Sequence, residues 1–374
     1  GPAGMPGMSA LPQAEGALGV GWRAGVGDYA RCLAWDATGR QLLVGDAAGT
    51  LSCLDAATGR LRWETPAHDG GVLALSAHPS RALVASAGAD GRACLWELGS
   101  AGGEGEPPVP VRAGAPAPIA ELQGDAAWVG HLAWSPDGAR LASASGRVLR
   151  LWGTDGTPLA RSEDHASAVS GLAWCGNEEI ASACYGRVSF LDAASGAPRE
   201  RLDWKGSLIS LVVSPDGAIV ACGSQDRTVH FWRRRTGEDS MMAGYRTKPA
   251  VLAFDGRSRL LATSGADYVT VWSFAGDGPE GTQPGVLDAH VDQVSALAFP
   301  HSGSRLASAD RAGLVLLWDL DDRGDGRLIG AASADAGVEA LAWHPHADAL
   351  AAIDAAGGVG VWSITAATDT LAGV

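Results

Sequence analysis

The sequence predicts an all-β fold: a single closed β-propeller of eight four-stranded antiparallel blades, with seven blades plus an irregular unit as the alternative count. Three observations carry this reading. An apolar triplet recurs eight times, as Leu33-Ala34-Trp35, Leu75-Ser76-Ala77, Leu132-Ala133-Trp134, Leu172-Ala173-Trp174, Leu211-Val212-Val213, Leu252-Ala253-Phe254, Leu297-Ala298-Phe299 and Leu341-Ala342-Trp343. Each copy closes 19 to 21 residues later, on Leu54, Trp96, Trp152, Leu191, Trp232, Trp272, Trp318 or Trp362. Copies start 39 to 45 residues apart, except for an interval of 57 between the second and third. A period of about 40 built from short strands marks propeller blades, because one such unit cannot bury both faces and needs a neighbour on either side.

Within a copy the triplet lies in the inner strand a; a turn, strand b, a tight turn, strand c and an outer strand d follow. The third copy shows the order: Val129 to Trp134, the turn Ser135-Pro136-Asp137-Gly138, Arg140 to Ser143, the turn Ser145-Gly146, then Val148 to Trp152. Pro presets φ at the second turn position and Gly accepts the positive φ that other residues resist, so Pro-Asp-Gly dictates a β-turn. The fifth copy repeats it as Ser214-Pro215-Asp216-Gly217. Outer strands precede the next triplet, as in Arg60 to Glu64 and Arg199 to Leu202. The last copy ends near Ile364 without a fourth strand, whereas Leu18 to Arg23, ahead of the first triplet, is strand-like. The ring is therefore expected to close by pairing this N-terminal strand into blade 8, which leaves few exposed edges.

Around this ring, Gly1 to Gly7 reads as an expression scar within a disordered segment 1–15, residues 16–366 as the propeller domain, and 367–374 as a C-terminal tail. The long interval is explained by Gly99 to Pro118, rich in Gly, Pro and Glu; too poor in apolar residues to pack, it is expected to be a flexible insertion.

A formal charge of -14 and a pI near 5.0 argue against nucleic acid or an anionic membrane as partner, since both need a basic footprint. No apolar run approaches the roughly 18 residues that span a bilayer, and no signal peptide is evident, so a cytoplasmic location is expected. Six cysteines fall mostly in strands without C-x-x-C spacing and read as buried reduced thiols, although Cys175 and Cys184 lie on neighbouring strands. An Ala- and Gly-rich wording with Arg favoured over Lys suggests a bacterial source.

From about Leu18 to Ile364 the chain resembles a WD40-repeat β-propeller. In that family a His before strand a, a Ser or Thr on strand b, an Asp in the next turn and the Trp of strand c form a buried hydrogen-bonded tetrad. Blade 2 matches at all four positions with His68, Ser86, Asp90 and Trp96, for which the resemblance implies a structural role. Elsewhere the pattern decays: His165 and His290 hold the His position in blades 4 and 7, Asp226 the Asp position in blade 5, and Trp204 and Tyr245 stand where His would be in blades 5 and 6. Blades 1 and 4 end in Asp55-Ala56-Ala57-Thr58-Gly59 and Asp192-Ala193-Ala194-Ser195-Gly196, a wording closer to pyrroloquinoline-quinone-type propellers.

Signatures of catalysis are missing: there is no G-x-S-x-G, H-E-x-x-H or phosphate-binding loop, and the glycines are spaced as turn residues. No catalytic residue, cofactor or metal is expected. His78, His301, His344 and His346 fall in a–b turns on one face, where a surface zinc site is conceivable, but no sulfur ligand accompanies them.

Aromatic residues outside the repeat pattern point to binding. Tyr29, Tyr185, Tyr245 and Tyr268, with Trp128 and Trp204, all fall in d–a or b–c loops, which open on one face. Large aromatics in loops bury area at little rotamer cost, as interface anchors do. Blades 3 to 6 add Arg147, Arg187, Lys205, Arg227, Arg246 and Lys248 to that rim; blades 7, 8 and 1 add Asp292, Asp310, Asp335, Asp354, Asp28 and Asp46. A basic, aromatic arc facing an acidic one would orient a partner.

The expectation is a noncatalytic, cytoplasmic, monomeric scaffold that binds a protein or peptide through this face. The partner-binding candidates are Tyr29, Trp128, Arg147, Tyr185, Arg187, Trp204, Arg227, Tyr245, Arg246 and Tyr268. Alternatives are a quinone-dependent propeller enzyme, suggested by the Asp-Ala-Ala-Thr-Gly wording, and a metal-trafficking partner protein using the turn histidines.

Overall fold

Short runs of small and branched apolar residues between Gly- and Asp-bearing turns favour successive antiparallel strands. The computed structural model of the chain, which describes residues 11–12, 16–99 and 116–365, arranges them as eight antiparallel sheets in sequence order. Blade 1 is representative, with strands Ala30–Trp35, Gln41–Asp46, Thr50–Asp55 and Leu61–Pro66 laid side by side from inside to outside. Its strand b is buried at every position, whereas strand d alternates toward solvent. In blade 4, strands b and c run on as one element, Glu179–Asp192, turning at Gly186, where φ is 74°.

The ring closes as expected. Blade 8 consists of Val338–Trp343, Ala349–Asp354, Gly358–Ile364 and the N-terminal strand Leu18–Gly25. That strand runs antiparallel to Gly358–Ile364, from Leu18 opposite Ile364 to Gly25 opposite Gly358. Eight blades, not seven with an irregular unit, complete the circle. Residues 1–10, 13–15, 100–115 and 366–374 lie outside the described residues, and with them most of the segment 1–15, most of the insertion 99–118 and the tail 367–374.

Among the described residues the buried apolar side chains sit between blades rather than at the centre of the ring. Eight clusters of buried side chains each join two neighbours, including blades 8 and 1, where Val359 and Val361 pack with Leu42, Val44 and Leu54. Removal of apolar surface from water thus acts at every seam, including the one closed by the chain ends.

Hydrogen bonds reinforce the seams. The indoles that end the repeated triplets donate to a strand-a carbonyl of the preceding blade: Trp35 to Ala342 at 3.0 Å, Trp134 to Ser76 at 3.1 Å, Trp174 to Ala133 at 2.9 Å and Trp343 to Ala298 at 2.9 Å. Arg234 of blade 5 reaches into blade 4, donating to Glu179 at 2.6 Å and Glu200 at 2.8 Å with its guanidinium 3.7 Å from the centre of the Phe190 ring. All six cysteines are free thiols, Cys175 and Cys184 included, and burial pushes those of Cys32, Cys53 and Cys175 up to about 12.

Candidate partner-binding face

The d–a loops and b–c turns open on one face, and backbone hydrogen bonds tie them together blade by blade. The amide of Ala47 donates to Tyr29 at 2.8 Å, Gln225 to Ser207 at 2.9 Å, Thr247 to Gly265 at 2.9 Å, Arg311 to Gln293 at 3.0 Å and Ala355 to Gly337 at 2.9 Å. Side chains on this face therefore project from a braced backbone, as a binding constellation requires.

Beneath the rim lie the tetrads. In blade 2, His68 Nδ1 meets Asp90 at 3.0 Å and its Nε2 meets Ser86 Oγ at 2.8 Å, while the Trp96 indole donates to Ser86 at 2.8 Å. Burial holds the His68 imidazole below its ordinary pKa; Asp90 is also held down, because contact with His68 and Arg92 outweighs its partial burial. Blade 7 carries a second complete tetrad: His290 Nδ1 to Asp310 at 2.9 Å, Nε2 to Ser308 at 2.7 Å, and Trp318 to Ser308 at 2.9 Å. The sequence reading credits the full set to blade 2 alone. In blade 4, His165 bonds Ser182 at 2.7 Å and the Arg147 carbonyl at 2.9 Å in place of a carboxylate.

Two of the expected partner-binding aromatics are occupied inside their blades. The Tyr245 hydroxyl bonds Thr263 at 2.8 Å and accepts the Trp272 indole N–H at 3.2 Å, so a phenol fills the role of the missing histidine. Trp204 stacks on His230 with centroids 3.9 Å apart, and His230 meets the edge of Trp232 at 4.4 Å. Trp204 Nε1 and His230 Nδ1 are buried there without a hydrogen-bond partner. Tyr29 is half-buried and its hydroxyl donates to Glu339, a bond that raises its pKa. The half-buried Tyr268 lies beneath Arg246, 5.7 Å from ring centre to guanidinium. Trp128 and Tyr185 remain open to solvent, 46% and 57% exposed.

The charge pattern needs a larger correction. Of the six aspartates assigned to the acidic arc, Asp46, Asp310 and Asp354 are only 1%, 0% and 3% exposed. Each caps its b–c turn: Asp46 accepts the amides of Ala48 and Thr50, Asp310 those of Ala312 and Leu314, and Asp354 those of Ala356 and Gly358. Asp28, Asp292 and Asp335 lie at the surface, the last paired with Arg23 at 3.3 Å. On the basic side, Arg147 donates to the His165 carbonyl at 2.6 Å, Arg187 pairs with Asp203 at 3.0 Å and Arg246 with Asp267 at 3.7 Å. Arg227 is exposed and stands in a left-handed backbone conformation, φ 65°.

On the opposite face three of the four turn histidines bond to the neighbouring blade. His78 Nε2 donates to the Gly138 carbonyl of the next blade at 2.9 Å and its Nδ1 accepts the amides of Ser80 and Arg81; His344 repeats this with Gly39, His346 and Ala347. With both ring nitrogens engaged, neither is free to ligate a metal. His346 donates to the Ala37 carbonyl at 2.7 Å, and His301 is exposed. Among the described residues no group of three or more His, Cys, Asp or Glu is placed to hold a metal ion.

Family models agree with this architecture. The model described as outer membrane protein assembly factor BamB, of the pyrroloquinoline-quinone repeat type, matches residues 14–243, and that of the WD domain, G-beta repeat, matches residues 281–319. The first spans more than half of the chain. The chain belongs to the β-propeller repeat family of that first model, with a WD-domain repeat over residues 281–319. It is 32% identical over 110 residues to the probable cytosolic iron-sulfur protein assembly protein 1 of Mycosarcoma maydis, covering 29% of this chain and 21% of that protein. Periodic tryptophan protein 2 of Arabidopsis thaliana is 31% identical over 30% of this chain and 12% of its own length; WD repeat-containing protein 90 of Xenopus tropicalis is 33% identical over 23% and 5%. The chain thus spans at most about a fifth of these relatives. A crystal structure of the computationally designed Ika8 protein superposes with a TM-score of 0.73 over 94% of this chain and 100% of its own, at 23% identity, a likeness of fold.

Proposed function

We propose that this propeller is a noncatalytic scaffold that takes a protein or peptide partner on the face formed by the d–a loops and b–c turns. The observation that carries the proposal is the exposure of Trp128 and Tyr185 on loops fixed by backbone hydrogen bonds. A large aromatic left in water on a rigid frame loses little entropy on binding and gains its full burial. The WD-repeat relatives, one of them named as an assembly protein, support an interaction role.

The wording that suggests a quinone enzyme has a packing role here. In Asp55-Ala56-Ala57-Thr58-Gly59 the carboxylate accepts the amides of Ala57 and Thr58 and pairs with Arg62 at 2.7 Å, and the Ala56 carbonyl accepts the Trp22 indole at 2.7 Å. At Gly59, whose φ is 73°, a Cβ would lie 2.4 Å from the Trp22 ring. The turn is thus shaped to seat the closing strand.

Six free thiols and the acidic net charge support a reducing, cytoplasmic setting and a protein rather than a nucleic acid or membrane partner. No helix of the described residues is long and apolar enough to cross a membrane. The matched relatives named above are eukaryotic, so a bacterial source is no part of this proposal.

Affinity capture from a lysate tests the face. Trp128→Ala with Tyr185→Ala is expected to abolish capture, each anchor being worth at least ~2 kcal/mol, while the melting temperature stays unchanged. Deletion of residues 102–114 is expected to leave capture intact. Loss of the partner on that deletion, with the aromatic variant still binding, would place the interface elsewhere.

A further inference from the structure

We infer that the rim of blades 4 to 6 holds an acidic segment of the partner, an Asp- or Glu-rich peptide, through Lys205, Arg227 and Lys248 beside the exposed ring of Tyr185. This inference rests on the reading of the face as partner-binding and adds the chemistry of what binds there.

The three cations come from loops that touch. Lys205 lies two residues before Ser207, whose carbonyl accepts the amide of Gln225, two residues before Arg227. Lys248 adjoins Pro249, whose carbonyl oxygen packs so close to Gly223 that a Cβ there would lie 1.9 Å from it. The b–c turn of blade 5 is thereby clasped between the loops that bring in both lysines. On the blade 4 side, strands c and d continue their pairing up to Tyr185 opposite Ser207, raising a ridge that carries the exposed tyrosine beside Lys205.

These charges are uncommitted. Arg187 and Arg246 are matched by Asp203 and Asp267, whereas Lys205, Arg227 and Lys248 are exposed and have no ion-pair partner among the described residues. Asp226, the remaining carboxylate on these loops, accepts the amide and hydroxyl of its own neighbour Thr228. A chain of net charge -14 therefore keeps a local cationic rim.

Comparison among the blades singles out Arg227. At the fourth position of the b–c turn, blades 1, 2, 7 and 8 place Gly49, Gly91, Gly313 and Gly357, with φ of 95°, 82°, 97° and 83°. Blade 5 places Arg227 there at φ 65°, closing the turn on Ser224 at 3.2 Å as Gly313 closes on Asp310 at 3.2 Å. An L side chain is disfavoured in this region, and those four blades avoid the strain with glycine. Ser258, in an a–b turn on the opposite face, also has a positive φ of 60°; what distinguishes Arg227 is that the strained position holds an exposed, unpaired cation on the aromatic rim, and it is this combination that points to function. A guanidinium at that point offers a planar fork that fits a carboxylate, with the lysines as flanking point charges. A short acidic segment needs only this local field, while the net negative charge of the whole chain repels an extended polyanion.

Fluorescence anisotropy with the full chain tests the inference, using a labelled peptide of four Asp-Glu-Gly repeats. Binding is expected at low salt, weakened as salt screens the charges, and absent for a Lys-Lys-Gly counterpart. Arg227→Gly installs the residue that blades 1, 2, 7 and 8 use, so it is expected to weaken binding about fivefold or more while the melting temperature holds or rises. Adding Lys205→Ala and Lys248→Ala is expected to abolish binding. No binding by the wild type, an unchanged affinity in Arg227→Gly, or tighter Arg227-dependent binding of a twelve-residue oligothymidylate would each overturn the inference. If that happens while Trp128→Ala with Tyr185→Ala still abolishes partner capture, the binding face stands and only its acidic specificity falls.

Discussion

A single carboxylate, Asp310, shows how far a residue's meaning depends on what the fold puts next to it. In the sequence it is one of several aspartates on the rim; in the structure it is wholly buried, bonded to His290 and to the amides of Val291, Ala312 and Leu314. Burial favours its neutral form, but those bonds outweigh burial and hold its pKa below the usual carboxylate value. Asp310→Ala removes the acceptor and leaves a buried imidazole and several amides unsatisfied, which is expected to cost about 2 to 4 kcal/mol. Asp292→Ala, on the exposed loop of the same blade, is expected to change stability by less than about 0.5 kcal/mol. Urea titrations of the two variants decide the matter, and equal midpoints would refute the tetrad role. The sequence hides this role because Asp310 lies two residues after Ser308, whereas in blade 2 Asp90 lies four after Ser86. Both turn positions reach the same histidine nitrogen, since the d–a loop lies across the whole b–c turn. The His-to-Ser interval of 18 and the Ser-to-Trp interval of 10, common to both blades, were the signals that could have revealed it.

At the scale of the element, order and register were legible because period and turn chemistry are local properties. The Pro-Asp-Gly turns, the strand spacing and the missing fourth strand of the last copy each report on a few adjacent residues. What a turn touches in the next blade is not local, and there the packing role of His78 and His344 could not be read from the sequence. The ring of His344 sits beneath Gly39, which lies 305 residues away along the chain, and His78 stands under Gly138 in the same way. Gly39 and Gly217 occupy matching a–b turns with φ of 73° and 74°, but a Cβ at Gly39 would lie 2.2 Å from the His344 ring and one at Gly217 would meet nothing within 4 Å. Alanine at either site meets the same backbone strain, about 1 to 2 kcal/mol. Gly39→Ala must also displace the imidazole that links blades 8 and 1, and is expected to lose a further ~1 to 3 kcal/mol. Thermal melts that rank Gly217→Ala as the more damaging change would show that the histidine is not a fixed wedge.

For the whole molecule, the ring itself was readable because a period that repeats around the chain can bury its faces only by closing on itself. The binding chemistry was less so: which rim charges are free depends on pairs such as Arg187 with Asp203 and Arg246 with Asp267, formed across loops whose facing is set by the blades. The distribution of buried histidines around the ring has a consequence for the molecule as a unit. Burial lowers the pKa of His68, His78, His131, His165, His230 and His344, which belong to blades 2, 3, 4, 5 and 8. In the unfolded chain each would take up a proton near pH 6.5, while in the folded ring each stays neutral to lower pH. The unfolded state then binds more protons, so stability is full above about pH 6.5 and is lost as the pH falls through the lowered folded-state values. A second loss is expected below about pH 4, where Asp90 and Asp310, held down by their histidine and amide partners, finally protonate. Because the sites are spread over most of the seams, the melting temperature should hold level from about pH 8 down to about pH 6.5 and then decline smoothly, as one cooperative transition, toward pH 5. Calorimetry across that range checks it: a flat profile down to pH 5 would mean that the imidazoles are not held neutral by the fold.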